Sequence, residues 1–283
     1  MSADLAPSPK GKLALLTLLV IGIIALACRS SPTCSSCIAT AVDYVMPDPS
    51  PQALPYAEPP DPTAWSAMPP DQRLEDAKLR LFPHLNRELA KRKAKLGNAA
   101  FIRAFKEDRE LELWLKTGKN WTLFRTYPIA ALSGTLGPKK AEGDWQTPEG
   151  FYGVTARALN PASSFHFSFN VGYPNAYDLQ YGRTGTLIMV HGSNVSIGCL
   201  AMTDPVIEEI YWIVSAAIQA GQQEVPVHIF PFRMTAERMN RAGAAEHTEF
   251  WQELKVGYDW FETHRQPPVM TVRDGHYRRQ GEL

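Results

Sequence analysis

The segment HGSNVSIGCLAMTD, His191 to Asp204, places an imidazole and a thiol eight residues apart in a chain of 283 residues. Cys199 is the last of four cysteines, and the other three lie within the first 37 residues. A thiol near its free pKa is only a few per cent ionised at neutral pH, so a nucleophilic cysteine needs a base or a positive local field. His191 can supply the base, because the intervening loop is small and polar and can fold back to bring ring and sulfur together. In Ser196-Ile197-Gly198-Cys199 the glycine permits a tight backbone path that leaves amides near the sulfur for a developing oxyanion. Lone cysteines are also common inert core residues, and lone histidines common satisfied ones. Spacing alone leaves catalysis and packing both open.

The elements that must hold this segment can be read on both sides of it. FIRAFK (Phe101 to Lys106), ELELWLK (Glu110 to Lys116) and WTLFRTYPI (Trp121 to Ile129) have strand character, with TGKN as the turn of a hairpin. GFYGVTA (Gly150 to Ala156), FHFSFNV (Phe165 to Val171) and LIMV (Leu187 to Val190) continue the series, the last running into His191. Short strands at regular spacing argue for a sheet-based sandwich rather than a doubly wound fold. After the motif, Asp204 is expected to cap a helix with Pro205 at its first position and Gly221 beyond its end. Val206, Ile207, Ile210, Val214, Ala217 and Ile218 give that helix one apolar face. VPVHIFPF (Val225 to Phe232) reads as a buried strand in which His228 is structural, and Ala236 to His264 reads as helix. Asp71 to Gly97 reads as one kinked or two short helices, interrupted by Pro83.

Lys plus Arg and Asp plus Glu both number 29, which gives no basic field for nucleic acid. Leu13 to Ala27 is an uncharged apolar run behind Lys10 and Lys12, the pattern of a signal peptide or an N-terminal anchor. Export to the periplasm or cell envelope follows, with membrane contact only through that segment. Cys34 and Cys37 can pair locally or be incidental, and no second close cysteine or histidine pair stands at zinc spacing. From Pro47 to Pro70 there are nine prolines in 24 residues, an expected extended spacer reaching about 70 Å. The expected organisation is therefore 1–30 signal or anchor, 31–70 linker, 71–100 helical, 101–235 catalytic and 236–283 a helical extension.

IMVHGSNVSIGCLAMTD resembles the active-site signature of the YkuD-type L,D-transpeptidases, which pairs HG with a later S-x-G-C. YPIAALSG (Tyr127 to Gly134), DWQTPEGFY (Asp144 to Tyr152), GYPNAYD (Gly172 to Asp178), GRTG (Gly182 to Gly185) and FPFRMT (Phe230 to Thr235) are similar to the YafK-like branch of that family. The resemblance implies an α+β fold, mainly β, a YkuD-like β-sandwich with packed N- and C-terminal helices. It also implies cysteine acyl transfer on peptidoglycan stem peptides, with Cys199 as nucleophile, His191 as base, Gly198 and Cys199 as oxyanion amides and Ser196 as loop organiser. An amine acceptor would give a cross-link or an attached wall protein, and water would give hydrolysis. A non-catalytic peptidoglycan-binding module is the reading from another class. Two departures bear on the acceptor: Ile197 stands where many members have His, and Ala201 where many have Arg or Asn. Arg183, Tyr173 and Gly192 are the expected substrate-facing positions. Arg183 is suited to a stem carboxylate or to a turn beside Gly182 and Gly185, and Tyr173 to a groove wall or to packing. No nucleotide or metal cofactor is implied.

Overall fold

The computed structural model describes residues 61–243 and 245–281, all within one compact unit, Pro49–Leu283. The apolar run Leu13 to Ala27, the first three cysteines and the spacer before Asp61 lie outside the described residues. No helix among the described residues is long and apolar enough to cross a membrane.

Where the end of an extended spacer was expected, Pro62–Ala67 forms a short helix, α1. Asp61 accepts from the Thr63 amide at 2.8 Å and Pro62 fills the first turn, so local capping overrides proline content. Trp65 of α1 is buried. Helix α2 (Pro70–Lys91) runs unbroken through Pro83, against the expected interruption. Pro83 is exposed, and Leu79, whose carbonyl loses its partner, is 75% exposed, so water can replace the missing bond. Its buried face, Ala77, Leu81, Leu85 and Leu89 at four-residue spacing, joins the main core.

A five-stranded sheet has the order β3-β2-β1-β9-β4, formed by β1 (Ala100–Phe105), β2 (Glu110–Thr117), β3 (Asn120–Pro128), β4 (Gly150–Val154) and β9 (Val225–Phe230). The β2–β3 hairpin is as expected, with Thr117 opposite Asn120. Strand β1 is buried throughout because both sheet faces are covered. Ile102 and Ala104 join the main core, while Phe105 packs with Trp251 and Leu254 of a C-terminal helix. A second sheet, β5-β6-β7-β8, joins β5 (Leu159–Asn160), β6 (Ser168–Asn170), β7 (Met189–His191) and β8 (Leu200–Ala201). Phe167, Phe169, Val190 and Leu200, on and beside it, enter the same core as Ile102. Each such buried side chain contributes roughly 1.5–3 kcal/mol.

Short helix α3 (Ala176–Gln180) precedes β7, and α4 (Asp204–Gln219) follows β8, burying the expected apolar face. The cap expectation is corrected: Thr203 is the N-cap residue and makes no side-chain cap bond, whereas Asp204 is the first helical residue. The tail divides into α5 (Ala236–Ala242) and α6 (Thr248–His264), followed by an unanticipated hairpin, β10 (Met270–Arg273) with β11 (His276–Arg279). The fold is thus α+β with a core built mainly on strands.

Candidate active site

Strand β7 pairs in parallel with β8, with Val190 opposite Leu200 and His191 opposite Ala201. Cys199 is the bend residue immediately before β8, so this pairing lays its segment alongside the end of β7 that carries His191. The half-buried Cys199 accepts from the Met189 amide at 3.4 Å and its thiol donates to the Leu187 carbonyl at 3.6 Å. Burial pushes this thiol up, against smaller opposing effects of the Met189 amide and the Lys139 ammonium. His191 is 4% exposed and its Nδ1 lies 2.5 Å from the Gly192 carbonyl. A carbonyl only accepts, so Nδ1 carries the proton and Nε2 holds the free lone pair. Burial lowers the pKa of this imidazole, outweighing the opposing Gly192 carbonyl and Asp204 carboxylate. The resting pair is therefore a neutral thiol and a neutral base.

That state predicts how Cys199 meets an alkylating agent. Iodoacetamide reacts with thiolate, so the rate at Cys199 should be slow at pH 7 and rise only above the ordinary thiol range. A rate already on its plateau at pH 7 would show a preformed thiolate–imidazolium pair and contradict this electrostatic account.

The loop between the two residues is tied to itself. Gly198 has φ +133°, a conformation that requires glycine, and its amide donates to Ser196 Oγ at 3.1 Å. Ser196 Oγ donates in turn to the Cys199 carbonyl at 2.7 Å. The Gly198 amide is thus engaged, while the Cys199 amide makes no hydrogen bond among the described residues. Ala130 and Ala201 fix the following strand through Ala130 N to Ala201 O at 2.8 Å and Ala201 N to Ala131 O at 2.9 Å.

Gly192 is buried, and its need for glycine is spatial rather than conformational. A Cβ there would meet Asp204 Oδ1 at 2.4 Å and both His166 Cβ and Phe165 O at 2.8 Å. Its amide donates to the Phe165 and Phe167 carbonyls at 3.0 and 3.2 Å, and Ser193 N donates to Asp204 Oδ1 at 2.6 Å. Gly192→Ala should therefore shift the His191 ring and lower kcat by roughly 100-fold. Turnover kinetics check this, and a variant within twofold of the parent would refute it.

The other substrate-facing expectations sit in spent environments. Arg183 Nη1 donates to the buried Asp178 carboxylate at 2.7 Å, and its guanidinium lies over Tyr177, Tyr181 and Phe250. Tyr173 is 4% exposed and its hydroxyl donates to the Thr184 carbonyl at 3.1 Å. Both hold the 173–185 segment together. His228, pushed down to about 3 by burial and by Arg103, is a neutral core group between Phe101 and Phe151.

Sequence reading missed the support on the other side of Cys199. Buried Lys106 donates to the carbonyls of Thr135, Gly137 and Thr147 at 2.8, 3.0 and 2.8 Å and lies 3.0 Å from Glu149 Oε1. This shapes the 133–149 loop, whose Gln146 packs beside Gly198. A groove of about 810 Å³ is lined by Leu187, Met189, Gly153, Asn170 and Val269, with Arg157 and Glu224 as its charged groups; neither His191 nor Cys199 lines it.

A half-buried thiol and a neutral imidazole on adjoining segments, with a backbone amide beside the thiol, are the groups that a cysteine nucleophile and its base require. The family model of the YkuD L,D-transpeptidase catalytic domain matches residues 100–229. The chain is also 45% identical over 182 residues to YafK of Escherichia coli (strain K12), named provisionally as an L,D-transpeptidase, covering 64% of this chain and 74% of that protein. This chain belongs to the YkuD-type L,D-transpeptidase family. Among solved structures, the helical cell shape determining protein Pgp2 from Campylobacter jejuni covers 68% of this chain and 81% of its own at 19% identity and TM-score 0.37. Bd1075 of Bdellovibrio bacteriovorus covers 64% and 84% at 17% identity and TM-score 0.34. Both likenesses are too distant to bear on the site.

Proposed function

We propose that the chain is a cell-envelope cysteine acyltransferase that cleaves an amide at the L-centre of a peptidoglycan stem peptide through a thioester on Cys199. The observation that carries this is the His191 Nδ1 contact with the Gly192 carbonyl, which leaves Nε2 as a lone-pair base on the strand that runs beside the Cys199 segment. The Cys199 proton passes to Nε2 as sulfur adds to the carbonyl carbon, and the oxyanion forms beside the uncommitted Cys199 amide. His191 returns the proton to the leaving amine as the C–N bond breaks. An incoming amine, deprotonated by the same ring, then displaces the thiol and gives a joined product.

Hydrolysis is the second reading, and a specific observation favours it. Ile197 is 72% exposed and Ala201 is buried with its backbone engaged, so neither position offers a polar side chain to hold an amine. Water needs no such group.

Product analysis separates the two. The full chain is incubated with tetrapeptide stems and a free D-amino acid, with Cys199→Ala alongside, and the products are weighed by mass spectrometry. Exchanged or cross-linked products absent from the variant establish transfer, and shortened stems alone establish hydrolysis. No Cys199-dependent product would refute both and restore the reading of a non-catalytic binding module.

A further inference from the structure

We propose that Arg80, Glu208 and His166 form a positioning unit for the catalytic loop, so that helix α2, outside the residues matched by the family model, is part of the active site's support. The inference rests on the reading of His191 as the base.

The contacts run outward from that base. The peptide after His191 is held by the Gly192 amide, which donates to the carbonyls of Phe165 and Phe167 on either side of His166. The same glycine lies against the His166 Cβ and Asp204, with no room for a methyl group, so a shift of His166 is transmitted directly. The Phe165 ring also sits 5.0 Å from the His191 ring.

His166 is fixed from three sides. Its Nε2 lies 2.7 Å from Glu208 Oε1, its Nδ1 lies 3.9 Å from Asp204 Oδ2, and Trp65 of α1 stacks on its ring at 3.7 Å. Glu208 is wholly buried, and the Arg80 guanidinium donates to both its oxygens at 2.9 and 2.7 Å while also binding Asp76 at 2.8 Å. The charged groups facing His166 are therefore Glu208 and Asp204 from α4, with Arg80 behind Glu208 from α2. A bidentate guanidinium fixes a carboxylate in direction as well as distance. His166 and Glu208 are buried and Arg80 is half-buried against them, so the effect of the three on chemistry passes through Gly192 and His191.

The test uses the full-length protein and the neutral double variant Arg80→Gln/Glu208→Gln, which removes both charges, keeps the size of the buried Glu208 side chain and leaves no lone buried ion. His166→Gln is the second variant, in which the Arg80–Glu208 pair survives. Two quantities are read: the His191 tautomer by ring nitrogen NMR, and kcat and KM on tetrapeptide stems. Parent His191 should hold its proton on Nδ1. In both variants the two tautomers should mix, and kcat should fall about tenfold with KM within twofold. An unchanged tautomer with unchanged kcat in both variants would overturn the proposal. If the parent turns over no stem peptide, the functional reading fails, and the tautomer alone decides whether the unit positions His191.

Discussion

Cys199→Ala should lower turnover of a stem-peptide amide by on the order of 10⁴-fold or more, and His191→Gln should do nearly as much damage. The thiol is protonated at rest because burial raises its pKa, so its nucleophilicity depends on proton transfer to His191 rather than on a standing thiolate. Removing the base therefore disables the nucleophile, and the double variant should be scarcely worse than either single one, as expected for groups that act as a unit. Stability should change little for Cys199→Ala, since the hydrogen bonds of the half-buried sulfur among the described residues, with Met189 and Leu187, are long. Kinetics on all three variants, with thermal unfolding alongside, make the check. Activity above about a tenth of the parent in His191→Gln would remove it from the role of base.

The largest stability effect is expected at Lys106. Lys106→Met leaves the Thr147 carbonyl without this donor and buried Glu149 without its counter-charge, while the Thr135 and Gly137 carbonyls keep only Gln146 Nε2 among the described residues. Glu149 has other partners, the Gly137 amide at 2.6 Å and Trp251 Nε1 at 2.8 Å, but neither carries a charge. Breaking a buried pair by removing one partner costs about 3–5 kcal/mol. For a unit of this size that is a fall in Tm of roughly 6–20 °C. Adding Glu149→Gln should recover part of the loss, because the unpaired charge disappears. Thermal or denaturant unfolding of the single and double variants tests this, and a single variant within 1 °C of the parent would show that the ammonium supports nothing.

What the sequence made legible was local. The Cys199, His191, Ser196 and Gly198 segment lies within nine residues, and the apolar face of α4 follows from helical spacing alone. The hairpin at Met270 to Arg279 was also within reach: Asp274-Gly275 supplies the turn dipeptide, and both residues take positive φ, 51° and 80°. Its short, charged strands hid it. Asp204 was misread because a cap is a local inference, whereas its carboxylate answers to Ser193, eleven residues back. Nothing in the sequence joins His166 to Glu208 or Glu208 to Arg80, which are 42 and 128 residues apart. Arg183 illustrates the same limit, since a guanidinium suited to a substrate carboxylate is equally suited to the buried carboxylate of Asp178, and only the fold decides between them.

The central claim is a covalent acyl-enzyme at one sulfur, and intact-protein mass spectrometry after rapid acid quench tests it most directly. Mixed with tetrapeptide stems, the full chain should gain the mass of the stem acyl group, lose it on treatment with hydroxylamine, and show it on the peptide containing Cys199 after digestion. Turnover of the stem with the adduct on another residue, or turnover that persists at the parent rate in Cys199→Ala, would contradict the account.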